Sequence, residues 1–121
     1  MKAKIDGKDW SARGIIPDFD GHSSYQHVVG EKGEDGISFQ LWKQGIVVGK
    51  KIPFGEDHAV DFTLEGVSGF MSGKSGEAVV TNFDDQWLEG TFFFTATSRS
   101  SDKKIEVTDG KFRIPRVQDA K

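Results

Sequence analysis

Cysteine is absent from this chain. Disulfides and thiolate chemistry are thereby excluded, as are zinc sites that depend on Cys ligands. Compartment stays open, because exported bacterial proteins often lack disulfides. Also missing is any apolar run near the roughly 18 residues of a membrane-spanning helix, so no transmembrane segment is expected. The opening MKAKIDGK holds no apolar stretch of the signal-peptide kind. The chain is therefore expected either to be cytoplasmic or to be an exported, cell-envelope protein whose signal has been trimmed. Positive charge is not in excess. The formal net charge is −3 and the pI is near 5.6, and Lys50-Lys51 and Lys103-Lys104 are isolated pairs, so nucleic acid is not an expected partner. Finally, no segment shows an apolar repeat of helical period, which turns attention to strands.

What is present points the same way. The length of 121 residues suits one domain spanning 1–121, with 116–121 as a frayed tail. Such a chain removes roughly two-thirds of its unfolded surface from water. Hydrophobic content is only 36%, yet ten Phe and three Trp supply a large packing area per residue. Four Asp-Gly dipeptides, at Asp6-Gly7, Asp20-Gly21, Asp35-Gly36 and Asp109-Gly110, punctuate short strand-like runs. Aspartate tolerates the left-handed region and glycine reaches it without a Cβ clash, so Asp-Gly suits the centre of a type I′ hairpin turn.

Along the chain, AKIDGKDWSA is expected to pair Ala3 with Trp10 across Asp6-Gly7. Residues 13–24 have loop chemistry around Ile15-Ile16, and Tyr25 to Val29 reads as a strand followed by a polar GEKGEDG turn. Ile37, Phe39 and Leu41 then alternate with Ser38, Gln40 and Trp42, the pattern of a half-buried strand. Ile46 to Val48 and Ile52 to Phe54 are expected as brief extended pieces between glycines. Val60, Phe62 and Leu64 alternate next, Val67 to Met71 begins another strand, and Glu77 to Phe83 is apolar on both sides and so central. In LEGTFFFTAT, Leu88, Phe92, Phe94 and Ala96 share one face, while Glu89, Thr91, Phe93 and Thr95 share the other. SRSSD is a polar connection. A turn at Asp109-Gly110 would set Val107 opposite Phe112 and Ile105 opposite Ile114; the competing reading is a bulge at Gly110 inside one long strand. The fold class expected is all-β, an antiparallel β-sandwich or flattened β-barrel of about eight to ten short strands.

Candidate chemical sites are mostly decoys. Gly69-Phe-Met-Ser-Gly73-Lys74-Ser75 is one residue short of a phosphate-binding P-loop and is followed by GEAVVTNF, a strand rather than the helix such a loop requires, so a hairpin turn is expected. Asp18-Phe-Asp20-Gly21 offers oxygen ligands, but a calcium loop needs an acid where Val29 stands, so a turn is the plainer reading. His22, His27 and His58 have no local ligand spacing. No catalytic serine elbow is present, and Asp84-Asp85 and Glu56-Asp57 read as solvated turn acids. No catalytic residue, metal or cofactor is expected. The remaining anomaly is aromatic: Trp42, Trp87 and Phe93 fall on faces opposite the core sets, either as a platform for an apolar or sugar-like ligand framed by Gln40, Glu89 and threonines, or as filling for a second small core.

Taken in order, IDGKDWSA, ISFQLW, GKKIPF, AVDF, SGEAVVTNFD, WLEGTFFFTATS and KIEVTDGKFRI resemble a family of small, uncharacterised all-β bacterial proteins, many of them exported lipoproteins. The most specific segments are IDG-x-x-W at the start and GTF-x-F with VTDG-x-F at the end. The resemblance implies a structural scaffold and an envelope location, and carries no catalytic residue onto this chain. The function expected is a non-catalytic binding or interaction module, monomeric, holding a small molecule, glycan or protein partner. The alternatives are a small hydrolase assembled from distant His and Asp or Glu residues and a purely structural protein.

Overall fold

A computed structural model describes residues 1–12, 14–16, 25–55, 60–64, 71–98 and 104–115. Ten strands run through them: β1 (Lys2–Ile5), β2 (Lys8–Ser11), β3 (Gly14–Ile16), β4 (Tyr25–Lys32), β5 (Asp35–Trp42), β6 (Lys51–Pro53), β7 (Val60–Thr63), β8 (Met71–Phe83), β9 (Trp87–Ser98) and β10 (Lys104–Pro115). Every pairing is antiparallel, in the order β2-β1-β10-β9-β8-β7-β5-β4-β3, with β6 also against β8. This ladder does not close into a barrel; it folds into two antiparallel layers, a sandwich-like arrangement. Strand β8 makes the corner, pairing with β7 through Met71–Gly73 and with β6 through Glu77–Val79. At the other side β2 and β3 end the order, yet only residues 12 and 13 separate them in the chain.

Period-two alternation decides what lies between the layers. Ile37, Phe39 and Leu41 of β5 and Leu88, Phe92, Phe94 and Ala96 of β9 are all buried, as the sequence pattern predicts. Phe39 ties the layers together: its ring lies 5.2 Å from Phe54, 5.5 Å from Phe92 and 5.6 Å from Phe112, centroid to centroid. Such tilted and edge-on contacts suit the ring quadrupoles.

The four Asp-Gly dipeptides behave differently. Asp6-Gly7 is the expected hairpin, with both residues at positive φ (49° and 80°) and Ala3 opposite Trp10. Its Asp6 amide donates to the Glu106 carbonyl at 2.8 Å and its carboxylate accepts from the Glu106 amide at 2.9 Å, which extends the β1–β10 ladder across the turn. Asp109-Gly110 is not a turn. β10 pairs with β9 along its whole length, Val107 opposite Phe94 and Gly110 opposite Phe92, so Thr108 and Asp109 together face the single residue Phe93. The bulge is the reading that holds; only Asp109 takes positive φ (51°), whereas a type I′ turn needs both central residues there. Asp35-Gly36 starts β5, and the turn contracts to Gly33 and Glu34 between the paired Lys32 and Asp35, with Gly33 at φ 62°. Asp20-Gly21 lies outside the described residues.

Two further expectations change. Met71 to Ser75 of the P-loop look-alike are strand, not hairpin turn, because β7 and β9 flank them as pairing partners. Of the strand expected from Val67 to Met71, residues 67–70 lie outside the described residues, and Met71 is the first described residue of β8. Ile46–Val48 forms no strand: Ile46 is extended (φ −78°, ψ 113°), but it links a single 3-10 turn at Lys43–Gly45 to a β-turn in which the Lys50 amide donates to the Val47 carbonyl at 3.0 Å. Gly49 occupies the third position of that turn at φ 87°, where a side chain would be strained. The central placement of Glu77–Phe83 is correct, since β8 lies between β9 and the β6–β7 side.

Candidate binding face

The outward set of β9, Trp87, Glu89, Thr91 and Phe93, lies between the outward residues of β8 and β10. Cross-strand pairing sets Glu77 beside Phe93, Val79 beside Thr91, and Arg113 beside Glu89. Two depressions open on this face and share Thr91 and Lys111. One, of about 260 Å³, is bordered by Glu77, Phe93, Asp109 and Gly110. The other, of about 360 Å³, is bordered by Lys2, Thr81, Glu89 and Arg113. The β10 bulge borders the first, for it sets two residues against Phe93 and disrupts the ladder there.

Charge along the furrow is uneven. Glu89 is committed, accepting from Asn82 Nδ2 at 3.1 Å and pairing with Arg113 Nε at 3.1 Å. Arg113 also stacks its guanidinium 3.8 Å from the Trp87 ring centre, so Trp87 is half-buried beneath a cation rather than open to a ligand. Lys2 and Lys111, by contrast, are direct partners in the β1–β10 ladder, both exposed and with no ion-pair partner among the described residues. Like charges set opposite one another cost stability unless an anion lies between them. Burial and the Lys2 charge both hold the Met1 amino group, beside this depression, below its usual range.

The aromatic trio proposed from the sequence does not form one surface. Phe93 is 48% exposed, a bare ring on the outer face of β9. Trp87 shares that face but lies six residues along the strand, about 20 Å away. Trp42 is 46% exposed on the outer face of β5, in the opposite layer, with its ring edge over Gly45. Neither Phe93 nor Trp42 fills a second core; packing describes Trp87 alone. The sequence reading missed Lys111 and the bulge residue Asp109, which only strand pairing brings beside Phe93, and Lys2, which the β1–β10 ladder sets opposite Lys111.

Other candidates carry less chemistry. His27 is half-buried on the outer side of β4, opposite Gln40; His22 and His58 lie outside the described residues. Among the described residues no group of His, Asp and Glu is arranged to hold a metal ion. Asp84 and Asp85 form the β8–β9 turn, where the Asp84 carboxylate accepts from the Gln86 and Trp87 amides at 2.8 and 2.7 Å. Glu56-Asp57 and Asp18–Asp20 lie outside the described residues. Among the described residues no helix is long and apolar enough to cross a membrane. Comparison of the chain with protein-family models, with curated proteins and with solved structures finds no match.

Proposed function

We propose that this protein is a non-catalytic binding module whose ligand lies along the furrow over β8, β9 and β10, and that the ligand is a glycan bearing carboxylate or similar anionic groups. The observation that carries this reading is the juxtaposition of the exposed Phe93 ring with the unpaired Lys2–Lys111 couple on one open face. A bare aromatic ring offers a stacking surface to the apolar face of a sugar. The threonine hydroxyls and Glu77 offer hydrogen bonds to its hydroxyls, and the lysines attract its acid groups. A location in the bacterial envelope belongs to the same proposal and rests on the resemblance to exported all-β proteins.

The test is calorimetric titration with neutral and uronic-acid oligosaccharides. The acidic series is expected to bind, with Phe93→Ala and Lys111→Gln each weakening it by about tenfold, the equivalent of about 1.4 kcal/mol, while neither lowers the unfolding midpoint and Lys111→Gln, by relieving the repulsion with Lys2, raises it slightly. Binding that survives both substitutions, or equal affinity for neutral and acidic sugars, would overturn the assignment of this face.

A further inference from the structure

Four large hydrophobic side chains are exposed among the described residues, and three of them lie together in sequence: Trp42 ends β5, and Val47 and Val48 stand on the short connection from it to β6. Val47 and Val48 are 54% and 57% exposed, and they are held there by structure on both sides. Ile46 packs against the core, the Ile46 amide closes the 3-10 turn onto the Lys43 carbonyl at 3.3 Å, and the Gly49 amide donates to the Val80 carbonyl of β8 at 2.9 Å. The two valines are thus presented at a turn tip rather than left loose. β-Branched residues gain nothing at such a position unless something covers them, since turns favour Gly, Pro, Asn, Asp and Ser.

Charge selects the cover. From Trp42 to Gly55 the chain carries Lys43, Lys50 and Lys51 and no acid, although the whole molecule has a net charge of −3. Lys50 and Lys51 are exposed directly beside the valines. Cores of protein interfaces are depleted in lysine, because its ammonium is costly to desolvate. An anionic bilayer surface suits the combination: the aliphatic tip enters the acyl boundary, the indole takes the headgroup level, and lysines stay in water facing lipid phosphates. We infer that the turn over 42–51 is a docking element for an anionic lipid surface, separate from the furrow beside Phe93. Asp84 and Asp85, on the turn that ends the anchoring strand, carry the opposite sign, so apolar insertion has to add to charge.

Co-sedimentation with vesicles of phosphatidylcholine alone, and of phosphatidylcholine mixed with phosphatidylglycerol, tests this. The protein is expected to pellet with the mixed vesicles only, with tryptophan emission shifting to the blue; Trp42→Phe removes the shift. Val47→Asp with Val48→Asp should cut binding by at least about tenfold, and Lys50→Gln and Lys51→Gln by about fivefold each. All four positions are exposed, so circular dichroism and the unfolding midpoint should match the parent chain. Three results would overturn the inference: no preference for the anionic vesicles, binding that the valine double variant retains, or concentration-dependent self-association, abolished by the same double variant, in place of vesicle binding.

Discussion

Gly110 and Phe92 illustrate how single residues hold this fold together. A Cβ on Gly110 would lie 2.6 Å from three carbons of the Phe92 ring, its cross-strand partner, and a Cβ on Gly90 would lie 2.5 Å from the ring of its own partner, Phe112. Each ring occupies the space its partner leaves empty. Phe92 cannot swing away, because Phe39, Phe94 and Phe112 surround it. Gly110→Ala is accordingly expected to destabilise the protein by about 1–3 kcal/mol, as overpacking does, measured by urea unfolding. Adding Phe92→Leu should recover part of that loss, since the two positions share one space. Gln26 shows phase overriding chemistry at the same scale. In step with Val28 on β4, it is fully buried, with neither amide atom hydrogen-bonded among the described residues.

Strands, more than turns, organise the C-terminal half, and the sequence signal there was ambiguous for a physical reason. An Asp-Gly pair is compatible with a hairpin and with a bulge, because both need a residue in the left-handed region. What decides between them is whether a partner strand is long enough to template the whole segment, and β9 is, pairing from Trp87 to Thr97. The bulge also preserves phase: Val107 and Gly110 both face inward with Thr108 and Asp109 exposed between them. Deleting Thr108 should therefore restore a regular ladder and leave a cooperatively unfolding protein. Deleting Thr91 from β9 should turn half of that strand's apolar residues outward and abolish the fold. Circular dichroism and thermal unfolding of the two deletion variants distinguish these outcomes.

The whole molecule depends on contact between layers that are far apart in ladder order. Phe39 on β5 meets Phe92 on β9 and Phe112 on β10 only because β8 turns the sheet back on itself. Phe39→Ala should cost about 3–5 kcal/mol, while Trp42→Ala, on the same strand but facing outward, should leave the denaturant midpoint nearly unchanged. Equal losses would mean that Trp42 is packed in solution. The same inward and outward division separates the rings that hold the fold, which lie between the layers, from the residues of the two proposed sites, since Phe93, Lys111, Val47 and Val48 are exposed.

The sequence by itself determined the all-β class, the inward sets of β5, β7 and β9, and the Asp6-Gly7 hairpin. Each follows from alternation and local backbone preference, which act over a few residues. It also picked out Trp42 and Phe93 as aromatics on the wrong faces, and both are exposed. Only the tertiary structure decided that these two rings lie in different layers, that Lys2 stands opposite Lys111, and that Asp109 sits in a bulge beside Phe93. Those relations depend on pairing between segments as many as 109 positions apart, as Lys2 and Lys111 are. Local propensity carries no information about such pairing, because it is chosen by how the whole set of apolar faces can be buried at once.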